Sequence, residues 1–80
     1  MQDGQIAISD LGLASLLATL DFQVIGMKRV DGKRINFLFA HTEEIDQVIS
    51  DYWADIEISV PIQSLFNNQK LLKNRLYVFN

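Results

Sequence analysis

The sequence contains no cysteine, so neither a disulfide nor a thiolate–metal clamp can hold its fold together. Histidine occurs once, as His41, which leaves little for a proton shuttle or an imidazole metal centre. The four glycines, at 4, 12, 26 and 32, are scattered and form no phosphate-cradling loop. No apolar run reaches the ~18–20 residues of a membrane span. The nearest candidate, LGLASLLATL at 11–20, is far too short. The opening MQDGQ has no positive region of the kind that begins a secretory signal, so a cytoplasmic protein with no membrane partner is expected. Basic residues are also few: 7 Lys and Arg stand against 10 Asp and Glu, and a net charge of −3 argues against general affinity for nucleic acid.

What is present is a high apolar content in a short chain. The 80 residues make a single domain, 1–80, and 49% of them are hydrophobic. A body this small buries only about 60% of the surface of its extended chain. Without disulfides or metal, oligomerisation is a common way to complete such a core. A homo-oligomer is therefore expected. Charge lies in blocks: residues 1–27, 28–34, 35–69 and 70–80 carry −3, +3, −6 and +3. Blocks of this kind can steer association and fix its register.

The periodicities predict an α+β fold in which a small antiparallel sheet, centred on a β-hairpin, packs against two or three helices. QIAI at 5–8 is a candidate extended piece. Ser9 is placed to cap a helix over 10–20, with Asp10 in its first turn. Leucines surround that helix almost completely, which predicts a central position or an interface. Strands at 22–30 and 33–40 flank Asp31-Gly32, a strong signal for a two-residue type I′ turn. Pairing Val30 with Lys33 sets Arg29 opposite Arg34. Phe22, Val24, Val30, Ile35, Phe37 and Phe39 then share the core face, and Ile25, Met27, Leu38 and Ala40 share the other. Thr42 caps an amphipathic helix over 43–54. DIEISV at 55–60 reads as a third strand or an extended crossover. Pro61 opens a helix over 61–76, with Ile62, Leu65, Phe66, Leu72 and Leu76 inward.

Several of these features together resemble a small family of uncharacterised proteins of about 80 residues, found in phage and prokaryotes. The shared pattern covers residues 9–77. It runs from Ser9-Asp10 on a Leu/Ala-rich helix through the Asp-Gly hairpin to the Phe37-x-Phe39 strand. It continues with an acidic helix ending at Asp51-Tyr52-Trp53 and a proline-led helix ending Asn74-Arg75-Leu76-Tyr77. It departs from the pattern at Val60, where the family has an aspartate before the proline. The resemblance implies the α+β fold and, the family being a domain of unknown function, no activity.

Chemistry has few candidates. His41, Glu43 and Asp46 match no metal-ligand spacing. Asp51 and Asp55 sit four apart on a solvated helix face rather than in a cleft. No catalytic residue, metal or cofactor is expected, and the chain is read as non-enzymatic. The expected function is an assembly or protein-interaction module, with Leu13, Leu17, Ile25, Met27 and Leu38 as candidate interface residues. A like-charged Arg29/Arg34 pair would need water, an acidic protein partner or a phosphate backbone to offset it. The alternative is thus a small nucleic-acid-binding accessory protein. It would use Lys28, Arg29, Lys33 and Arg34 at the hairpin tip with Lys70, Lys73 and Arg75 on the last helix.

Overall fold

The structure is a computed structural model that describes residues 4–79. Residues 1–3 and 80, and with them Asp3 and the ends of the expected 1–80 domain, lie outside the described residues. The elements in chain order are β1 (Gln5–Ile8), α1 (Leu11–Thr19), β2 (Val24–Arg29), β3 (Ile35–Ala40), α2 (Glu43–Trp53) and α3 (Ile62–Phe79). The strands form an antiparallel sheet in the order β1-β3-β2. The fold is the expected α+β type, with the β2-β3 hairpin at its heart and β1 added on the far side of β3. Residues 55–60 pair with no strand. They form the extended crossover between α2 and α3.

One sheet face carries Ile6, Ile8, Val24, Met27, Phe37 and Phe39, all in the core or packed on it. The helices cover that face. Ala7, Leu38 and Ala40 alternate to the other face, which stays half-open. α1 is the hub, packing on β1, α2 and α3. Its Leu13 and Leu17 are 1% and 0% exposed, so both belong to the chain's own core and neither can reach a partner. This corrects their assignment as interface residues: an all-round apolar helix has been buried at the centre rather than at a boundary. The one buried polar residue of α1, Ser15, is satisfied, donating to the Leu11 carbonyl at 2.7 Å. Thr19 donates to the Ser15 carbonyl and accepts from Asn68 Nδ2 at 3.0 Å, tying α1 to α3.

Helix ends follow local chemistry, with one correction. Asp10, not Ser9, caps α1: its Oδ2 accepts from the Leu13 amide at 3.0 Å. Thr42 caps α2 as expected, accepting from the Ile45 amide at 3.1 Å, and Glu43, Glu44 and Asp46 occupy the first turn. Both α1 and α2 close with the same C-terminal device. The Asp21 amide donates to Ala18 and that of Phe22 to Leu17; the Asp55 amide donates to Tyr52 and that of Ile56 to Asp51. These are Schellman closures, in which the residue after the cap takes a left-handed conformation. Here that residue is Asp21 (φ 74°) or Asp55 (φ 61°), where glycine is usual. An aspartate there bears the left-handed cost and also sits at the negative end of the helix dipole. α3 runs one turn past its expected end, because no breaker follows Leu76.

The hairpin departs from expectation by one residue. The Val30 amide donates to the Arg34 carbonyl at 2.9 Å, leaving a three-residue loop of Asp31, Gly32 and Lys33. The Arg34 amide folds back on the Asp31 carbonyl at 3.2 Å. Neither Asp31 nor Gly32 has positive φ, which excludes the type I′ turn. Arg29 therefore faces Ile35, not Arg34, and the expected like-charge pair does not form. Met27 moves opposite Phe37 onto the core face, while Val30 is left exposed. A one-residue slip must exchange faces in this way. It packs a methionine partly buried against the core and separates two arginines, and both effects favour it. A bulge at Ile25 then restores the expected Val24–Phe39 pairing.

Two outcomes are expected in urea denaturation followed by circular dichroism. Leu17→Ala lowers stability by about 2–5 kcal/mol through loss of a fully buried side chain. Asp21→Gly raises it by about 0.5–1 kcal/mol by relieving the left-handed strain and the dipole conflict.

Candidate interaction surface

A broad hollow lies where α1, α2, the crossover and α3 meet. It is a groove of about 810 Å³ lined chiefly by Gly12, Leu16, Tyr52, Trp53, Ile56 and Leu65, with Asp55 and Glu57 on its rim. Its wall is fixed by one polar knot. Tyr52 Oη donates to Asp10 Oδ2 at 2.9 Å, the same oxygen that caps α1. Gly12 permits this approach, since a β-carbon there would stand 3.0 Å from Tyr52 Oη. Partial burial, and then the Asp10 carboxylate that accepts its proton, raise the Tyr52 phenol above its ordinary value of 10.0. Trp53 stacks edge-on against Tyr52, ring centres 5.0 Å apart, and is itself 65% exposed.

The apolar surface continues along α3. Leu65, Leu72 and Leu76 turn inward, whereas Ile62, Phe66, Leu71, Tyr77 and Val78 are largely exposed. The expected inward positions of Ile62 and Phe66 are thus corrected: α3 carries more apolar residues than its one buried stripe can hold. A second hollow of about 410 Å³ separates β2 from the end of α3, lined by Met27, Leu71, Arg75, Val78 and Phe79 among others.

Of the five residues first assigned to an interface, Ile25 is half-exposed at the bulge and Leu38 is partly buried on the open sheet face. Met27 packs against the core from the helix-covered face, and Leu13 and Leu17 lie within the core. What the sequence reading missed was the apolar surplus on α3. Ile62, Phe66 and Tyr77 recur at helical spacing beside a complete inward stripe.

The seven basic residues do not form one patch. Lys28 pairs across from Asn36 on the open sheet face, while Arg29 points the other way. Arg29 donates to the Gly32 carbonyl at 2.8 Å and lies 5.8 Å over the Phe79 ring. Lys33 and Arg34 are exposed at the tip. Arg75 lines hollows facing β2, and Lys70 and Lys73 lie about 140–160° around the helix from it. His41 Nε2 meets Asp46 Oδ2 at 2.8 Å in the open, and no cluster of potential metal ligands occurs among the described residues. No helix among them is long and apolar enough to cross a membrane.

Replacing Tyr52 by Phe is expected to cost about 1 kcal/mol at neutral pH, from the lost hydrogen bond to Asp10. A phenol with a raised folded pKa contributes stability that is full below its unfolded value and is lost as pH climbs through the folded one. Wild type should accordingly lose more stability than Tyr52→Phe above pH 10.0, as read by paired urea titrations.

No curated protein and no solved structure matches the chain. One family does: Domain of unknown function (DUF5659), matched over residues 3–78. With nearly its whole length in register with that family, the chain belongs to DUF5659.

Proposed function

We propose that this domain is a non-enzymatic protein-interaction module that associates with itself. The observation that carries the proposal is the apolar surface left open around the groove and along α3, where Trp53, Ile56, Ile62, Phe66 and Tyr77 are each more than half exposed. Together they present on the order of 500 Å² of side chain, given the 150–250 Å² of a whole aromatic. Exposed apolar area of that amount on so small a domain supports a contact site. Burying it in a second copy would supply the core area that so short a chain lacks.

Nucleic-acid binding is the less supported alternative. A phosphate backbone is held by bases that converge, and here they point to several faces, with Arg29 engaged by Gly32 and Phe79. An acidic protein partner at the hairpin tip is compatible with Lys33 and Arg34 but would find only Val30 as an apolar contact beside them.

Sedimentation equilibrium is expected to show a mass that rises with concentration from monomer to a defined oligomer. Phe66→Ser should shift that transition to about tenfold or higher concentration without altering the circular dichroism spectrum. A monomeric mass at every concentration would refute self-association. In parallel, a fluorescent single strand at low salt should show no saturable binding. Binding that falls steeply as salt rises would instead favour the nucleic-acid role.

A further inference from the structure

We infer that the partner on this surface is a second copy seated antiparallel along α3, related by a two-fold axis. The Asp55–Glu57 corner of each copy then meets Lys70 and Lys73 of the other. The inference rests on the self-association proposed above and specifies its geometry.

The placement of charge leads to it. At 100° per residue, Ile62, Phe66, Lys70, Lys73 and Tyr77 fall within an arc of about 80° on α3. That arc is not the one facing the sheet: Asn68, Leu71, Leu72 and Arg75 face Phe22 to Val24 of the β2 side. Leu65, about 60° inward of the arc's edge at Ile62, lines the groove together with Trp53, Asp55, Ile56 and Glu57. Acidic Asp55 and Glu57 thus stand beside the start of α3, and basic Lys70 and Lys73 lie on its exposed arc about two turns further on. Asp55, Glu57, Lys70 and Lys73 are all exposed, and none has an ion-pair partner among the described residues.

A surface with opposite charges at its two ends complements itself when a copy is turned end for end. Two-fold pairing requires this self-complementarity, since whatever one copy contributes at one end the other contributes at the opposite end. Parallel stacking would set like against like. Ile62 and Phe66 lie exposed between the charged ends, and Trp53 and Tyr77 flank them on either side, aromatics being the residue type that dominates interface cores. The apolar area of this flank and the charged rim around it approach the ~800 Å² per partner of a standard interface.

The test uses full-length chain and two charge-reversed variants, Asp55→Lys/Glu57→Lys and Lys70→Glu/Lys73→Glu. All four positions are exposed, and circular dichroism checks that each variant is folded. Sedimentation equilibrium reads the mass of each alone and of an equimolar mixture. Wild type is expected to form a dimer. Each variant alone, with like charge at both ends of the contact, should dimerise at least about tenfold more weakly. The mixture should recover a one-to-one dimer, because both ends are again opposite in sign. Variants that dimerise as well as wild type would overturn this pairing while leaving self-association standing. Wild type that stays monomeric would overturn both. Should a variant fail to fold, wild type alone decides: a dimer whose dissociation constant is unchanged between about 50 and about 500 mM salt refutes the charged pairing.

Discussion

The fold depends on keeping α1 dry. This short helix has apolar side chains on nearly every side and touches β1, α2 and α3 at once. A nine-residue helix has no stability of its own in water, so it exists only because its neighbours enclose it. Those neighbours likewise have little other core: Phe37, Phe39, Ile45 and Leu72 are buried in the same cluster. The sheet, α2 and α3 are thus held together by a shared partner. The molecule is correspondingly flat, with extents of 36 × 33 × 19 Å.

Enclosing α1 uses up one side of each surrounding element and leaves the second sides unserved. The sheet keeps a half-open face. α3 has a full inward stripe and a second apolar flank. α2 ends on Trp53, whose ring rests on Tyr52 but remains largely in water. Small domains have a high ratio of surface to volume, and an apolar fraction of 49% cannot all be placed inside one of them. The open surface around α3 is the residue of that mismatch.

Much of the architecture was legible because local and tertiary preferences agree. Phe37 and Phe39 alternate on the most central strand, and Thr42 with Glu43 and Glu44 begins α2 where any such sequence would. Legibility fails where two weak local signals compete and packing decides. Ser9 and Asp10 are both good caps, and the tertiary hydrogen bond from Tyr52 accompanies the choice of Asp10. Asp31-Gly32 favours a tight turn locally, but the three-residue loop places Met27 against Phe37 and parts Arg29 from Arg34. On α3 the inward set Leu65, Leu72 and Leu76 and the outward set Ile62, Phe66 and Tyr77 have similar spacing. Only the position of α1 tells them apart. The candidate interface was misread for the same reason, since Leu13 and Leu17 look alike in sequence whether they face a partner or the protein's own core.

The bulge at Ile25 has a consequence for how this hairpin can vary. Because the extra residue in β2 absorbs the slip introduced at the loop, pairing at Val24–Phe39 is uncoupled from the geometry of the tip. The bulge acts as an expansion joint. A residue gained or lost around Asp31–Lys33 can be taken up before it reaches Val24, Phe39 and the helices behind them. A change at the tip is thereby confined to the pairs between loop and bulge, Met27–Phe37 to Arg29–Ile35, and leaves the Val24–Phe39 end of the sheet in register.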